Sequence, residues 1–205
     1  MSLRNYSDLV DLCYKYIGYK DDNKDLFIEK SVEDSLKELE KISSFKYIYA
    51  EYTEILPILN KEPYLSFLKS AKRYYIVSTT LGVAVDKRIS LLSKTNMPYM
   101  IIFNSCAAAY LEYLADNFEI ETFGDDISYR FCPGYGGSSV ADLIELKKCL
   151  NIEKIGIQIF ESGMMLPEKS MFGIVAKNNN QKKTCKGCVL INNCKYQKEG
   201  KKCYS

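Results

Sequence analysis

The chain has 205 residues, of which 47% are hydrophobic and 26% charged, and its formal net charge is +2. This composition is typical of a globular domain and excludes a chain that is mostly disordered. Because the sequence contains no His, it cannot supply a His general base, a Ser-His or Cys-His nucleophile pair or an imidazole metal ligand, and most hydrolase mechanisms are excluded.

The charge is unevenly distributed along the sequence. Residues 177–203 contain eight Lys and one Glu, a balance of +7, which leaves −5 for the rest of the chain. A polar run of three Asn and one Gln over residues 178–181 marks the change. We therefore expect a folded domain over residues 1–176, followed by a basic, Cys-rich tail over residues 177–205.

The sequence shows no membrane-spanning segment and no secretory signal at its N-terminus. We therefore expect a cytoplasmic protein without membrane contact. In that compartment its eight cysteines would be thiols or metal ligands rather than disulfides.

Hydrophobic periodicity predicts a mixture of helices and strands. Apolar residues at helical spacing predict helices over residues 7–17 and 25–43, and an alternating pattern predicts a strand over 45–55 that ends before Pro57. The remaining predicted elements are a helix over 65–72, a strand over 74–78, helices over 83–92 and 97–118, a loop over 124–137, a helix over 140–150, and strands over 154–160 and 170–176. Because helices and strands do not alternate regularly, we expect an α+β domain rather than a doubly wound sheet.

One loop combines groups that can recognise a charged ligand. In the segment Arg130-Phe131-Cys132-Pro133-Gly134-Tyr135, a guanidinium and a phenol flank a Pro-Gly turn. A guanidinium can hold a carboxylate by two parallel hydrogen bonds, and a tyrosine ring can cover an aromatic ring or an onium group. The alternative is a surface arginine beside a tight turn.

Two acidic residues also stand out. Glu112 lies in an apolar helical segment, so either that face reaches solvent or the carboxylate meets a cation. Glu161 lies with Met164 and Met165 in a loop between two predicted strands, and the alternative there is a hairpin with a hydrophobic plug.

Together these stretches resemble the activation, or reactivation, domain of cobalamin-dependent methionine synthase. The resemblance is carried by Arg130-x-x-Pro133-Gly134-Tyr135, Glu161-Ser162-x-x-Met165-x-Pro167-x-x-Ser170-x-x-Gly173, Ala107-x-Ala109-Tyr110-x-Glu112-Tyr113-Leu114 and, more loosely, Thr79-Thr80-Leu81-Gly82. Order and approximate spacing agree from about Tyr6 to Ala176. The resemblance implies a twisted antiparallel sheet with flanking helices that binds S-adenosylmethionine (AdoMet) in a shallow groove.

The resemblance also implies roles for individual residues. Arg130 would hold the methionyl carboxylate, Tyr135 would lie against the ligand, and Glu112 would complement its positive charge. Cys132 would contribute backbone hydrogen bonds to the adenine, and the remaining expected ligand-binding residues are Gly134 and Glu161. No residue is expected to be catalytic, because the chemistry belongs to the cofactors.

The implied function is to bind AdoMet and support reductive methylation of cob(II)alamin, with a one-electron reductant. The sequence has no D-x-H-x-x-G cobalamin motif and no His to act as a lower ligand. We therefore expect the corrinoid on a separate protein, a split methionine synthase or a related corrinoid protein, and no methyltransferase activity from this chain alone. Similarity to the large synthases fades after Gly173.

The tail contains a second candidate site, formed by Cys185, Cys188, Cys194 and Cys203. Four thiolates suit a tetrahedral zinc ion or an iron–sulfur cluster, and a basic tail with free thiols is the third alternative. Two other functions follow, a metal-binding interaction module and an iron–sulfur electron carrier. Nucleic-acid binding, which the +7 tail alone would favour, is not expected because the body of the chain is acidic.

Overall fold

The computed structural model describes residues 3–18, 25–177, 198 and 200. Its helices are α1 (Tyr6–Ile17), α2 (Leu26–Ile42), α3 (Tyr64–Leu68), α4 (Val83–Thr95), α5 (Met97–Phe123) and α6 (Asp142–Leu146). Its strands are β1 (Lys46–Tyr52), β2 (Arg73–Thr80), β3 (Gln158–Ile159), β4 (Met165–Leu166) and β5 (Ser170–Lys177). Short 3-10 helices cover Pro57–Leu59, Lys147–Cys149 and Ile152–Ile155.

The main sheet is antiparallel, with strand order β1-β2-β5. On the outer side of β5 the chain pairs again at Phe131, whose amide donates to the Ile174 carbonyl at 2.8 Å and whose carbonyl accepts from the Ile174 amide at 2.9 Å. β3 and β4 form a separate two-stranded hairpin. The α+β class and the antiparallel sheet with flanking helices are thus confirmed.

Both faces of the main sheet are buried. Successive side chains of a strand point to opposite faces of the sheet. Tyr74 and Ile76 of β2 pack into one core beneath α3 and α6. Tyr75 and Val77 pack on the other face, against the last turns of α5. The earlier part of α5 is covered by α1, α2 and α4. Helix α5 therefore lies between the sheet and a layer of helices.

Helix α5 is longer than the sequence predicted. It begins after Asn96, whose side chain accepts from the Tyr99 amide at 3.2 Å, and it ends at Gly124, where φ is +88°. Its 27 residues run to Phe123 rather than to Phe118. No helix among the described residues combines the length and hydropathy that a membrane span requires.

The segment before the β3-β4 hairpin differs most from the prediction. The expected strand over residues 154–160 is wrong, because a 3-10 helix occupies Ile152–Ile155 and Gly156 then turns the chain with φ at +81°. Only Gln158–Ile159 remains extended and paired. The expected helix over 140–150 is divided between α6 and the 3-10 helix Lys147–Cys149.

Candidate functional site

Three carboxylates follow one face of α5. Glu112, Asp116 and Glu119 are four and three residues apart, which places them on the same side of a helix. Asp116 and Glu119 are buried, whereas Glu112 is half-buried. The sequence analysis found only Glu112. The helical spacing of the three acids in an otherwise apolar helix was the signal that could have found the other two.

Arg130 is the main partner of the two buried carboxylates. Its Nη2 lies 2.7 Å from Asp116 Oδ1, its Nε 2.5 Å from Glu119 Oε1, and its Nη1 3.1 Å from the Met171 sulfur. Burial by itself lowers the pKa of Arg130, but Glu119 and Asp116 outweigh it and raise that pKa above its usual value. Because its side chain is 6% exposed, Arg130 is not the surface arginine that a tight turn alone would predict.

A glycine of the main sheet makes room for the Arg130 side chain. A Cβ atom added at Gly173 would lie 2.5 Å from Arg130 Cγ and 3.0 Å from Cδ, closer than side-chain atoms approach one another. Gly173 belongs to β5, next to the pairing between Phe131 and Ile174. The Arg130 side chain therefore packs over β5 at Gly173, the one residue of that strand without a side chain.

A second arginine approaches Asp116 from the N-terminal segment. Nη2 of Arg4 lies 2.7 Å from Asp116 Oδ2, so one carboxylate bridges two guanidinium groups. The main chain of Arg4 is also fixed, because its amide donates to Asn117 Oδ1 at 2.8 Å and its carbonyl accepts from Asn117 Nδ2 at 3.1 Å. The Arg4 side chain is 27% exposed.

Glu112 is held by a phenol from α1. The hydroxyl of Tyr16 donates to Glu112 Oε2. Partial burial of that hydroxyl and, next, the charge of the Glu112 carboxylate raise the pKa of Tyr16. The hydroxyl is therefore protonated at neutral pH and can donate to the carboxylate.

The loop that carries Tyr135 is fixed by its own hydrogen bonds. The Tyr135 amide donates to the Cys132 carbonyl at 3.2 Å. Ser138 donates through its hydroxyl to the Tyr135 carbonyl at 2.7 Å and accepts from the Gly134 amide at 3.0 Å. Gly134 has φ at +92°, a backbone conformation that favours glycine. The loop thus presents the Tyr135 ring, which is 65% exposed, on a defined backbone.

The hairpin that carries Glu161 meets this loop at Val140. Cβ atoms added at Gly134 and at Gly163 would both collide with methyl groups of Val140. The two predicted motifs are therefore neighbours at the surface. Glu161 itself is exposed and forms no hydrogen bond or ion pair with another described residue. It is therefore not part of the network that connects Arg130 with the carboxylates of α5.

Two cavities lie away from this group of residues. A cavity of about 450 Å³ is lined by residues between Lys147 and Glu153, and one of about 230 Å³ lies between Gly82 and Pro167. Neither is lined by the residues described above.

No metal centre is found in the described part of the chain, where no three His, Cys, Asp or Glu side chains are grouped as metal ligands. The predicted ligands Cys185, Cys188, Cys194 and Cys203 lie outside the described residues.

The fold and the site define an α+β domain whose long central helix carries three carboxylates, two of them paired with Arg130, beside an exposed loop. The sequence matches no protein-family model and has no significant match among curated proteins. A solved structure described as "Crystal Structure of the MetH Reactivation Domain bound to AdoHcy" is similar, with a TM-score of 0.58 and 15% sequence identity over 85% of this chain and 78% of that chain. The chain therefore has the fold of the MetH reactivation domain, as its motifs predicted.

Proposed function

We propose that this chain binds AdoMet at the surface formed by Tyr16, Glu112 and the loop 132–138, together with the buried Arg130, and that it supports the reductive reactivation of a corrinoid. The observation that carries the proposal is the fold, which is shared with a MetH reactivation domain bound to S-adenosylhomocysteine (AdoHcy). AdoHcy is what remains of AdoMet after methyl transfer.

The side chains of the site suit the charges of AdoMet. The Glu112 carboxylate and the exposed Tyr135 ring are the groups that attract a sulfonium cation. Arg130 already contacts Asp116 and Glu119. In this proposal the ligand carboxylate takes the place of Asp116 on Nη2 of Arg130, and Asp116 keeps its ion pair with Arg4. Cys132 and Gly134 contribute backbone groups toward the adenine.

The corrinoid is proposed to be held by another protein, because the 205 residues include no His to serve as its lower ligand. One electron from a reductant and a methyl cation from AdoMet convert cob(II)alamin to methylcobalamin and leave AdoHcy. The chain contributes binding and orientation of the methyl donor, with no catalytic side chain.

The surface around Val140 is the proposed docking surface for the corrinoid protein. Tyr135, Val140, Phe160 and Met164 are large exposed apolar side chains that surround the contact between the loop and the β3-β4 hairpin. Exposed apolar residues grouped in this way mark interaction sites. The neighbouring AdoMet surface would then face the corrinoid.

Calorimetry with AdoMet and with AdoHcy tests the ligand. We expect the purified protein to bind both without added metal, because the proposed contacts come from residues before the Cys-rich tail. If neither ligand binds at millimolar concentration, the proposal is wrong.

Reconstitution tests the reactivation role. The chain, AdoMet, a one-electron reductant and a corrinoid-binding methionine synthase in its cob(II) state should restore the methylated cofactor, and the chain alone should methylate nothing. Met164→Glu should slow recovery while leaving AdoMet affinity unchanged, because Met164 lies in the docking surface. Met97→Glu is the matched control, since Met97 is also an exposed methionine but lies at the start of α5. AdoMet binding without faster recovery would refute the reactivation role alone.

The four cysteines of the tail support a separate proposal, a zinc or iron–sulfur site between Cys185 and Cys203. The absorbance spectrum and the metal content of anaerobically purified protein distinguish the two. An iron–sulfur cluster would favour the electron-carrier alternative, and zinc would favour an interaction module.

A further inference from the structure

Tyr16 occupies an unusual place on α1. Leu9, Cys13 and Tyr16 share one face of the helix, four and three residues apart. Leu9 and Cys13 are fully buried in the core that α1 forms with α5, whereas Tyr16 is 45% exposed. One turn beyond the buried stripe, just before Gly18 ends the helix, a large aromatic ring therefore reaches the surface.

The exposed ring ends in a hydroxyl with a defined partner. That hydroxyl donates to Glu112 Oε2, across 96 residues of sequence. A carboxylate that accepts a hydrogen bond from a rigid aromatic side chain loses rotamer freedom before any ligand arrives. Tyr16 thus fixes the direction in which Glu112 presents its negative charge.

Two separate elements meet at this carboxylate. Glu112 comes from α5 and Tyr16 from α1. The Tyr16 ring is exposed. A carboxylate with an exposed aromatic ring beside it is an arrangement suited to an onium ion, because the ring face and the carboxylate are both negative.

We infer that Tyr16 determines the preference of this site for a sulfonium ligand, by positioning the Glu112 carboxylate and by placing an exposed aromatic ring beside it. The inference rests on the proposed AdoMet binding. It concerns charge specifically, since AdoMet carries a sulfonium and AdoHcy a neutral thioether. A site built in this way releases its product more readily than its methyl donor.

The test compares Tyr16→Phe with the unaltered protein, using calorimetry with AdoMet and with AdoHcy. The phenylalanine keeps the ring and removes the hydrogen bond to Glu112. We expect the AdoMet-to-AdoHcy affinity ratio to fall about threefold, the size expected for one hydrogen bond, with AdoHcy affinity nearly unchanged. Tyr16→Leu removes the ring as well and should lower the ratio further.

Two comparisons separate this role from a structural one. Tyr6→Phe makes the same change at an exposed tyrosine at the other end of α1 and should leave both affinities unchanged. In a Glu112→Gln background, Tyr16→Phe should no longer change the ratio, because the charge that it positions is gone. The melting temperature of each of these variants is measured to confirm that it is folded.

Each outcome is decisive. An unchanged ratio in folded Tyr16→Phe, or an equal loss for both ligands, overturns the role of Tyr16 and leaves AdoMet binding intact. If the unaltered protein binds neither ligand, the inference and the proposed function fail together.

Discussion

The two ends of the motif that begins at Arg130 lie in different environments. Arg130 is buried against Asp116, Glu119 and Met171, and its guanidinium is surrounded by protein groups. Tyr135, five residues later, is exposed on a loop that hydrogen bonds through Ser138 hold in place. One end of the motif is therefore part of the core, and the other is part of the surface.

This difference determines what a substitution measures. Removing one member of a buried ion network leaves its partners buried and charged without that counterion, so the main effect is on folding. Removing an exposed ring costs little stability, so the main effect is on binding. The predictions below test this contrast from the core outward.

The largest effect is expected for Arg130→Met. The substitution leaves Asp116 and Glu119 buried beside an apolar side chain, which should lower the free energy of unfolding by about 3 to 5 kcal/mol. Urea denaturation with an unchanged m-value measures this. The triple variant that adds Asp116→Asn and Glu119→Gln should recover part of the loss, since neither buried side chain then carries a negative charge. A loss below about 1 kcal/mol would contradict the buried network.

Gly173→Ala should have the next largest effect. The added methyl group would overlap Arg130 Cγ, so the arginine or β5 must shift, at a cost of about 1 to 3 kcal/mol. The same substitution in an Arg130→Ala background, which removes Cγ and Cδ, should cost measurably less if the two residues are in contact. Equal costs in both backgrounds would mean that the Arg130 side chain does not pack over Gly173.

Glu112→Gln should change binding rather than stability. Glutamine keeps an oxygen that can accept from Tyr16 and removes the negative charge. AdoMet affinity should fall about fivefold, which corresponds to roughly 1 kcal/mol for a partly exposed ion pair. AdoHcy serves as the neutral control, and equal losses for the two ligands would show that Glu112 does not recognise charge.

The smallest effect on stability is expected for Tyr135→Ala, about 0.5 kcal/mol or less, because the ring is mostly exposed. Its AdoMet affinity should nevertheless fall several-fold through loss of the contact with the sulfonium. Parallel melting curves and titrations measure both quantities. A destabilisation as large as that of Arg130→Met would show that Tyr135 contributes to the folded core as much as Arg130 does.

The exposed part of the site was accessible from sequence because its residues are locally unusual. Tyr135 follows a Pro-Gly turn, and Glu112 interrupts an apolar helix. Apolar periodicity also predicts most of the length of each long helix, since the core requires apolar residues at regular spacing.

The buried part was not accessible in the same way. The sequence predicts an end of α5 at Phe118, yet Glu119 is buried within the helix. The ion pair with Arg130 favours that burial, and this arginine follows 11 residues later in a non-helical segment. Tyr16 is similar, because nothing near it in sequence indicates a contact with Glu112.

The bridge from Arg4 through Asp116 to Arg130 also affects how the chain folds. The Arg4 main chain bonds to a residue 113 positions away, and the Arg130 side chain passes over a strand that begins only at Ser170. Contacts over such distances form late, because a long loop must be closed first. During synthesis, a chain that ends before β5 lacks Met171 and Gly173 and so cannot enclose Arg130. The environment of Arg130 is therefore completed among the last parts of the domain.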